Sequence, residues 1–303
     1  MSPRTVLLWG IDGDAPLDQV REALQRHPCR VVFLDQRQDA EVDVTLSVTP
    51  TLHGALRLGE ACLDLAEVSA LYLRPFDPRD LPSCADRDGS FAHALTVQDM
   101  LLSWAELTPA LVLNRPSDMA ANNSKPYQAR WIESLGFRIP STLLTTDPIA
   151  AHAFLRRHGR VIYKSISGVR SIVSRVTDEH LGRFENIAAC PTQFQEYIDG
   201  REYRVHVVHD TVIATEIVSS ADDYRYASDV QMRAVTLPEA VTGRCRMLAR
   251  VMRLPLAGLD LRCSSAGEWY CLEVNPSPGF TFFEQHTGQP IAQHLARLLA
   301  SAG

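Results

Sequence analysis

In the first third of the chain, short apolar runs alternate with longer stretches in which apolar residues recur every three or four positions. The short runs predict strands and the longer stretches predict amphipathic helices. One helix is expected to begin after Asp14, a favoured N-cap residue, and another to cover 91–107. Alternation of strands with helices predicts a small parallel sheet. The predicted strands are 5–10, 30–35, 43–48, 70–75 and 110–114.

Beyond residue 115 the pattern changes to helices mixed with pairs of strands. The runs 201–208 and 211–218 are separated by two residues, a spacing that predicts a β-hairpin. The terminal helix has an apolar stripe that we expect to be exposed, a hint of a dimer. Further predicted elements are a hairpin of 256–263 with 269–275, strands that begin at 139, 161 and 193, and helices over 123–135, 147–158, 238–253 and from about 289.

Composition narrows the class of protein. The chain has 303 residues, of which 46% are hydrophobic, and its net charge is −6, which argues against a nucleic-acid partner held by phosphate contacts. The first apolar run is short and is followed by Asp12 and Asp14, so it predicts a core strand rather than a signal peptide or a membrane span. We therefore expect a cytoplasmic protein. Its 7 cysteines lack zinc-type spacing and are expected to be packed thiols.

Lysine is unusually rare among the basic residues of this chain. Of the 30 lysines and arginines, only Lys125 and Lys164 are lysines. A lysine offers a compact point charge where an arginine offers a planar fork. These two positions therefore invite a search for a site that needs an ammonium group.

A candidate metal site lies on the second predicted hairpin. Glu273 and Asn275 are two residues apart on one strand, so their side chains point to the same face, and Asp260 lies on the paired strand. Leu272 and Val274 would then face the core. Two carboxylates and an amide oxygen suit magnesium on nucleotide phosphates. The alternative is a polar strand face against solvent, which two prolines directly after Asn275 disfavour.

Two further segments could contact a nucleotide. Lys164 is followed by a short loop of small residues that includes Ser165, Ser167 and Gly168, and such a loop lets backbone amides approach phosphate oxygens. Most short Ser/Gly loops are simply turns. The segment 195–204 could offer backbone groups to an adenine edge and a carboxylate to ribose hydroxyls, or could be an ordinary strand–turn–strand.

The order of these elements resembles that of the ATP-grasp superfamily. It consists of a lysine, a strand lysine before a small-residue loop, Gln-Glu-x-Ile, Gly-x-Glu-x-Arg, and then Asp and Glu-x-Asn on paired strands. Both lysines of the chain fall where this superfamily places its phosphate lysines. The resemblance implies an α/β (α+β) ATP-grasp fold. Its amino-terminal domain, over 1–115, would be the one that recognises a peptide, and it would be followed by a central subdomain over 116–193 and a carboxyl-terminal subdomain over 194–303.

The resemblance also implies roles for individual residues. Lys125, Lys164 and the loop of Ser165, Ser167 and Gly168 would hold the ATP phosphates. Gln195, Glu196, Tyr197 and Ile198 would form the adenine hinge, and Glu202 would bind the ribose. Magnesium would be held by Asp260, Glu273 and Asn275. Charge on the transferring phosphoryl group would be neutralised by Arg204, Arg225 and Arg262.

Within the superfamily the sequence is most similar to the graspetide (microviridin-type) peptide macrocyclases, with the ribosomal-protein glutamate ligases as relatives. The motifs are Tyr-Leu-Arg-Pro at 72–75, Asn-Arg-Pro at 114–116 and Leu-Glu-Val-Asn-Pro at 272–276. The likeness implies an ATP- and Mg2+-dependent ligase that forms ester or amide links in a precursor peptide, as a dimer at most. The loop after Lys164 is short, with one glycine, and departs from the family pattern.

Two other functions remain open from the sequence. The chain could join free amino acids or another small carboxylate and amine, or it could bind a nucleotide without turnover. The complete set of lysines and metal ligands disfavours the second of these. The candidates for a general base are His206, His209 and Asp223, each of which is more often structural.

Overall fold

The structure is a computed structural model that describes residues 4–81, 90–165, 174–219 and 229–303. Its strands are β1 (Arg4–Gly10), β2 (Cys29–Asp35), β3 (Val42–Ser47), β4 (His53–Leu58), β5 (Ala61–Asp64), β6 (Val68–Leu73), β7 (Leu111–Leu113), β8 (Thr142–Thr145), β9 (Val161–Ser165), β10 (Ser174–Arg175), β11 (Thr192–Glu196), β12 (Arg201–Val208), β13 (Thr211–Val218), β14 (Gln231–Val235), β15 (Leu256–Cys263) and β16 (Trp269–Asn275). Its helices are α1 (Ala15–Leu24), α2 (Ser90–Leu107), α3 (Pro116–Met119), α4 (Lys125–Ser134), α5 (Pro148–His158), α6 (Asp178–Leu181), α7 (Glu239–Val251), α8 (Thr281–Thr287) and α9 (Ile291–Ser301).

The amino-terminal region contains the predicted parallel sheet, with the strand order β2-β1-β6-β7. Both of its faces are covered, which explains why β1 is an almost unbroken apolar run. One face packs against α1 and α9 and the other against α2. Asp14 caps α1 by accepting a hydrogen bond from the backbone N–H of Leu17, as the sequence predicts.

The predicted strand over 43–48 does not join this sheet. It forms β3 of a separate antiparallel sheet with β4 and β5, two strands that the pattern does not predict. Apolar alternation identifies a strand but not its partner, because one buried face looks the same in either sheet. The residues Val42, Leu56 and Leu63 turn inward and join the core beneath α2.

The central region contains a four-stranded antiparallel sheet with the order β10-β9-β11-β8. Its core is formed around Phe184 and Phe194, with Ala151 of α5 packed against them. Asp147 caps α5 by accepting from the backbone N–H of Ile149. Lys164 lies opposite Gln193 across β9 and β11.

The carboxyl-terminal region is a five-stranded antiparallel sheet with the order β14-β13-β12-β15-β16. Both predicted hairpins are confirmed, with β12 pairing β13 and β15 pairing β16. Apolar side chains of β12, β15 and β16 form a core with α7 and α4 on one face. The other face of the same strands carries polar residues, and it is there that the candidate site lies.

The sequence suggests that the apolar stripe of the last helix is exposed, but in the structure this stripe is buried. Leu295 and Leu299 are fully buried against α1 and the amino-terminal sheet. The stripe therefore gives no support for a dimer. Glu284 of α8, a helix that the pattern does not predict, accepts a hydrogen bond from the Ala292 N–H at the start of α9.

Asn114 joins the amino-terminal sheet to the carboxyl-terminal one. Its buried side-chain amide donates to the carbonyls of Leu256 (2.6 Å) and Pro276 (2.5 Å), while its oxygen accepts from the Leu256 N–H (3.2 Å). The domain boundaries at 115 and 193 stay a prediction. Within the described ranges, no helix combines the length and apolar character needed to cross a membrane.

Candidate functional site

Alternation along three neighbouring strands places charged residues together on one face of the carboxyl-terminal sheet. Tyr203 and Val205 of β12 point into the core, so the residues that alternate with them point to the opposite face. Strand register adds their neighbours: Asp260 lies opposite Arg204, and Arg262 lies opposite Glu202. We call this surface the polar face; it carries Glu202, Arg204, Asp260, Arg262, Glu273 and Asn275.

The two carboxylates predicted to hold a metal are adjacent and each has a cationic partner. Asp260 and Glu273 are directly opposite on β15 and β16. Arg204 donates from Nη1 to Asp260 Oδ1 at 2.6 Å, and Lys125 Nζ contacts Glu273 Oε1. About a third of each carboxylate side chain is exposed, so both can reach a ligand.

A bulge in β16 gives Glu273 its orientation. Asp260 pairs with Glu273 but the next residue, Leu261, pairs with Cys271, which leaves Leu272 as the extra residue. The prediction that Leu272 faces the core is therefore wrong, since it is only partly buried and Cys271 is in the core instead. Val274 is fully buried, as predicted.

The end of β16 is tied to the amino-terminal region. Asn275 Oδ1 accepts from the backbone N–H of Ser277 at 2.9 Å. Arg74 donates to Ser277 Oγ at 3.1 Å while its Nε donates to Asp14 at 2.7 Å. The strand end that carries Glu273 and Asn275 is thus anchored to the end of β6 and the start of α1.

Gly258 lets Arg204 approach Asp260. A Cβ at Gly258 would lie 2.5 Å from Arg204 Nη2 and 2.6 Å from Pro278 Cβ, far inside van der Waals contact. Because Pro278 blocks the opposite direction, the guanidinium would have to move. Close approach, rather than backbone conformation, is the reason for glycine here.

We expect Gly258→Ala to displace Arg204 and to lower turnover by roughly ten- to a hundredfold, since it moves a positioned charge. The matched control is Gly243→Ala, a position within α7 at which a Cβ meets nothing within 4 Å. That variant should be fully active and slightly more stable. The measurement is the steady-state rate of each variant. If Gly258→Ala were as active as Gly243→Ala, the role of Gly258 would be contradicted.

A second ion pair connects the polar face to the predicted hinge. Arg262 donates to Glu202 Oε2 at 2.6 Å and to the carbonyl of Ile198 at 3.0 Å, and its side chain is 10% exposed. Gly200 precedes this pair at φ +155°, and a Cβ there would lie 2.1 Å from the Cys263 carbonyl oxygen. The glycine of Gly-x-Glu-x-Arg is therefore required by contact with β15.

The remaining hinge residues are held by the central sheet. Gln195 donates to Thr142 Oγ1 at 3.1 Å, and Glu196 accepts from the Ser141 N–H at 3.2 Å. The ring of Tyr197 lies beneath the guanidinium groups of Arg160 and Arg175, at 4.3 and 4.6 Å from its centroid. Cation–π contacts of this kind hold an aromatic ring in place.

The remaining predicted residues lie either on the central sheet or outside the described part of the chain. Lys164 is partly buried on β9 of the central sheet, and Ser165 is the last residue of that strand. Ser167, Gly168 and Arg225 lie outside the described residues. The loop that departs from the family pattern lies there as well.

The structure describes the positions of two of the three candidates for a general base. His206 is fully buried beside Phe283, and its burial, together with the charge of Arg204, lowers its pKa to about 3. His209 lies in the hairpin turn, five residues along β12 from Arg204, which is roughly 17 Å away at about 3.3 Å per residue. Asp223 lies outside the described residues.

The polar face fits magnesium and phosphate by its chemistry. Its ligands would be carboxylate and amide oxygens, which hard cations prefer, and its arginines, together with Lys125 of α4, could bind phosphate oxygens. In the described ranges there is no cluster of three or more His, Cys, Asp or Glu side chains for a metal. Because magnesium prefers octahedral coordination, a magnesium ion bound by two carboxylates and an amide would share its coordination sphere with other ligands, such as nucleotide phosphates and water.

Comparison with known proteins decides the family. The model of the RimK-like ATP-grasp domain matches residues 130–299, more than half of the chain. The chain belongs to the RimK-like ATP-grasp family. Two curated relatives are a probable alpha-L-glutamate ligase 2 of Shewanella amazonensis, 29% identical over 45% of the chain, and a ribosomal protein bS6–L-glutamate ligase of Escherichia fergusonii, 34% identical over 34% of it. The chain matches 46% and 36% of their lengths, so it spans half of each or less.

Solved structures match this ATP-grasp protein over nearly its whole length. Macrocyclase MdnC of Microcystis aeruginosa, bound with the precursor peptide MdnA, has a TM-score of 0.83 at 24% identity, over 98% of this chain and 100% of that one. The ATP-grasp ligase PsnB, complexed with minimal precursor, Mg and ADP, has a TM-score of 0.79 at 26% identity, over 97% and 96%. The predicted ATP-grasp fold is confirmed.

Sequence reasoning missed several residues that build this ATP-grasp site. Gly258, Gln128 and the contacts of Arg74 and Asn114 were not predicted, although the last two lie within motifs quoted for the family resemblance. A signal was present for Gly258, because a glycine inside a strand pattern marks close approach. Nothing in the sequence signals Gln128, since a glutamine on a helix is usually solvated.

Proposed function

We propose that this protein is an ATP-dependent ligase that joins a carboxylate to an amine or hydroxyl group through an acyl phosphate, and that it acts on side chains of a ribosomally made peptide. The observation that carries the proposal is similarity over nearly the full length to ligases complexed with precursor peptides, among them PsnB at 26% identity. The polar face supplies the charges that such a reaction needs.

The nucleotide is proposed to lie between the central and carboxyl-terminal sheets. Gln195, Glu196, Tyr197 and Ile198 would contact adenine, and Glu202, which Arg262 holds in place, would bind the ribose. Lys125 and Lys164 would hold the phosphates, together with Ser165, Ser167 and Gly168. Asp260, Glu273 and Asn275 would hold Mg2+, which when bound neutralises charge on the phosphate oxygens.

The side chains of the polar face would then act by position and charge. Transfer of the γ-phosphoryl group to a carboxylate oxygen of the substrate releases ADP and needs no general base, because the nucleophile is already an anion. Arg204 and Arg262, together with Arg225, would stabilise the transferring group; the Arg204 guanidinium is fixed by Asp260 at 2.6 Å. An amine or hydroxyl then attacks the acyl carbon and phosphate leaves.

Nucleotide binding is tested by calorimetry with ADP and Mg2+. We expect the wild type to bind and Lys164→Ala to bind about 10- to 100-fold more weakly, because a charge-assisted hydrogen bond to phosphate is lost. Arg157→Ala is the control, since it removes an exposed cation from α5. An equal effect of both substitutions, or no binding to the wild type, would contradict the site.

The peptide substrate is tested by mass spectrometry. The probe is a short peptide rich in Thr, Ser, Lys, Asp and Glu that is encoded beside the gene, incubated with the protein, ATP and Mg2+. An intramolecular link removes one water from the peptide mass, and we expect such losses together with ADP release. ATP-dependent addition of a free amino acid to the peptide would instead overturn macrocyclisation.

That outcome would favour a second candidate, a ligase for free amino acids. Its support is the similarity to the two glutamate ligases, which reach 29% and 34% identity over part of the chain. Both candidates release ADP and phosphate, so nucleotide turnover does not separate them. Adding glutamate to the same reaction does, because a glutamyl adduct raises the mass of the acceptor.

A further inference from the structure

The outer edge of β16 is closed by groups that do not belong to a strand. β16 is the last strand of its sheet, so its outward backbone groups need other partners. Near its start the backbone of Arg138 fills this role, donating to the Trp269 carbonyl and accepting from the Cys271 N–H, both at 3.0 Å. After the bulge at Leu272 the outward groups are those of Val274.

Gln128 binds both of those groups. Its Nε2 donates to the Val274 carbonyl at 2.6 Å, and its Oε1 accepts from the Val274 N–H at 2.9 Å. The side chain is 1% exposed. Gln128 thus takes the place of a neighbouring strand at Val274. Its two hydrogen bonds fix both the position and the orientation of the Val274 backbone.

The position of that contact gives it a further consequence. Val274 lies between Glu273 and Asn275, so fixing its backbone sets the direction of both side chains on the polar face. Gln128 is also three residues after Lys125 on α4, and residues at this spacing share a helix face. The same helix face therefore brings Lys125 to Glu273 and Gln128 to Val274.

We propose that Gln128 is a positioning residue for the metal ligands: it holds the strand segment 273–275 against α4 so that Glu273, Asn275 and Lys125 keep one relative geometry. The inference rests on the proposed function, because it assigns Mg2+ to Glu273 and Asn275. Gln128 itself touches neither the metal nor the nucleotide. Groups that orient metal ligands typically change metal affinity by about 10- to 100-fold when they are removed.

The chain contains a matched control for this contact. Gln36 is also 1% exposed and also binds one residue at two points, donating to the Phe76 carbonyl at 2.6 Å and accepting from the Phe76 N–H at 2.8 Å. It lies in the amino-terminal region, away from β16. A methionine at either position keeps the length of the side chain and removes the two backbone contacts; at position 36 it also removes the hydrogen bond that Gln36 Nε2 donates to Gln98 Oε1 at 3.2 Å.

The experiment measures ADP binding by calorimetry over a range of Mg2+ concentrations, for the wild type, Gln128→Met and Gln36→Met. We expect both variants to lose thermal stability, because each leaves a backbone N–H and carbonyl without their side-chain partner, buried groups at Val274 and partly buried ones at Phe76. Gln128→Met alone should raise the Mg2+ concentration for half-saturation, by about 10- to 100-fold. ADP binding without Mg2+ should be the same in all three proteins.

Equal Mg2+ half-saturation in Gln128→Met and the wild type would overturn the positioning role and leave the proposed function intact. So would an equal shift in both variants, since that reports lost stability alone. Absence of Mg2+-dependent ADP binding in the wild type would overturn the proposed function and the inference with it. If Gln128→Met does not fold, Gln128→Asn takes its place, because the shorter amide cannot reach Val274 and should give the same shift.

Discussion

Replacing Glu273 with glutamine is expected to reduce turnover by roughly 10²- to 10³-fold, because the variant loses a charged group that would bind magnesium at the phosphates. Two observations make the effect large. Glu273 is directly opposite Asp260, so the pair acts as one anionic site, and Lys125, which contacts Glu273 Oε1, would lose its counter-charge as well. Because glutamine has nearly the same shape as glutamate, the substitution removes the charge and leaves the packing unchanged.

The control is Glu268→Gln, the same change in the turn of the same hairpin. Glu268 pairs with Arg138 at 2.6 Å and is about one-third exposed, so its loss should leave the rate within twofold of wild type, about the scale expected of a surface ion pair. Rates of ADP release at saturating Mg2+ and ATP measure both variants. A Glu273→Gln protein that turns over as fast as the control would remove Glu273 from the metal site.

The elements of this fold that the sequence predicts are those whose signal is local. The hairpins around His209 and before Asn275 follow from spacing and alternation, and the helix cap at Asp14 follows from its side chain. Partner choice is not local. The strand β3 was assigned to the wrong sheet because its single buried face fits either one.

The same distinction applies to the candidate site. Asp260 and Glu273 are predicted to meet because a hairpin joins them, and they do. Lys125 reaches Glu273 across 148 positions of sequence and Gln128 reaches Val274 across 146, and no spacing rule connects such residues. The bulge at Leu272 is equally hidden, since one extra residue in a strand leaves the apolar pattern almost unchanged.

The two lysines of the chain lie on different parts of the fold and have different neighbours. Lys125 contacts Glu273 on the polar face, whereas Lys164 lies on the central sheet opposite Gln193. If both hold phosphates, the nucleotide must contact both sheets, and Lys125 can bind a phosphate oxygen while it keeps Glu273, because its ammonium has a third donor beside those given to Asn122 and Glu273. Binding of ATP and the arrangement of the metal ligands are then coupled through α4.

Replacing Asp39 with asparagine is expected to make the protein more stable above neutral pH, by about 1–3 kcal/mol. Asp39 is 1% exposed, and among the residues that the structure describes neither of its carboxylate oxygens has a hydrogen-bond partner. Burial, with a smaller contribution from the charge of Asp35, raises its pKa to about 7. An ionised carboxylate at this position is therefore costly, while the protonated form is tolerated.

The sign of the pH dependence follows from that shift. Between the ordinary carboxyl pKa of 3.8 and about 7, the folded protein keeps a proton that the unfolded chain releases, so the free energy of unfolding falls as pH rises. The loss reaches at most about 4 kcal/mol above pH 7, at about 1.4 kcal/mol per pH unit. A buried asparagine cannot ionise, although its own unpaired amide costs about 1–3 kcal/mol, which leaves the smaller net gain.

Thermal unfolding at pH 5 and pH 8 tests this expectation, with Asp43→Asn on the exposed side of β3 as the control. Asp39→Asn should lose less stability between the two pH values than the wild type, and Asp43→Asn should behave as the wild type does. If Asp39→Asn and the wild type lose the same amount, the ionised carboxylate must find a partner in solution. In that case Asp39 would contribute nothing to the pH dependence of the protein's stability.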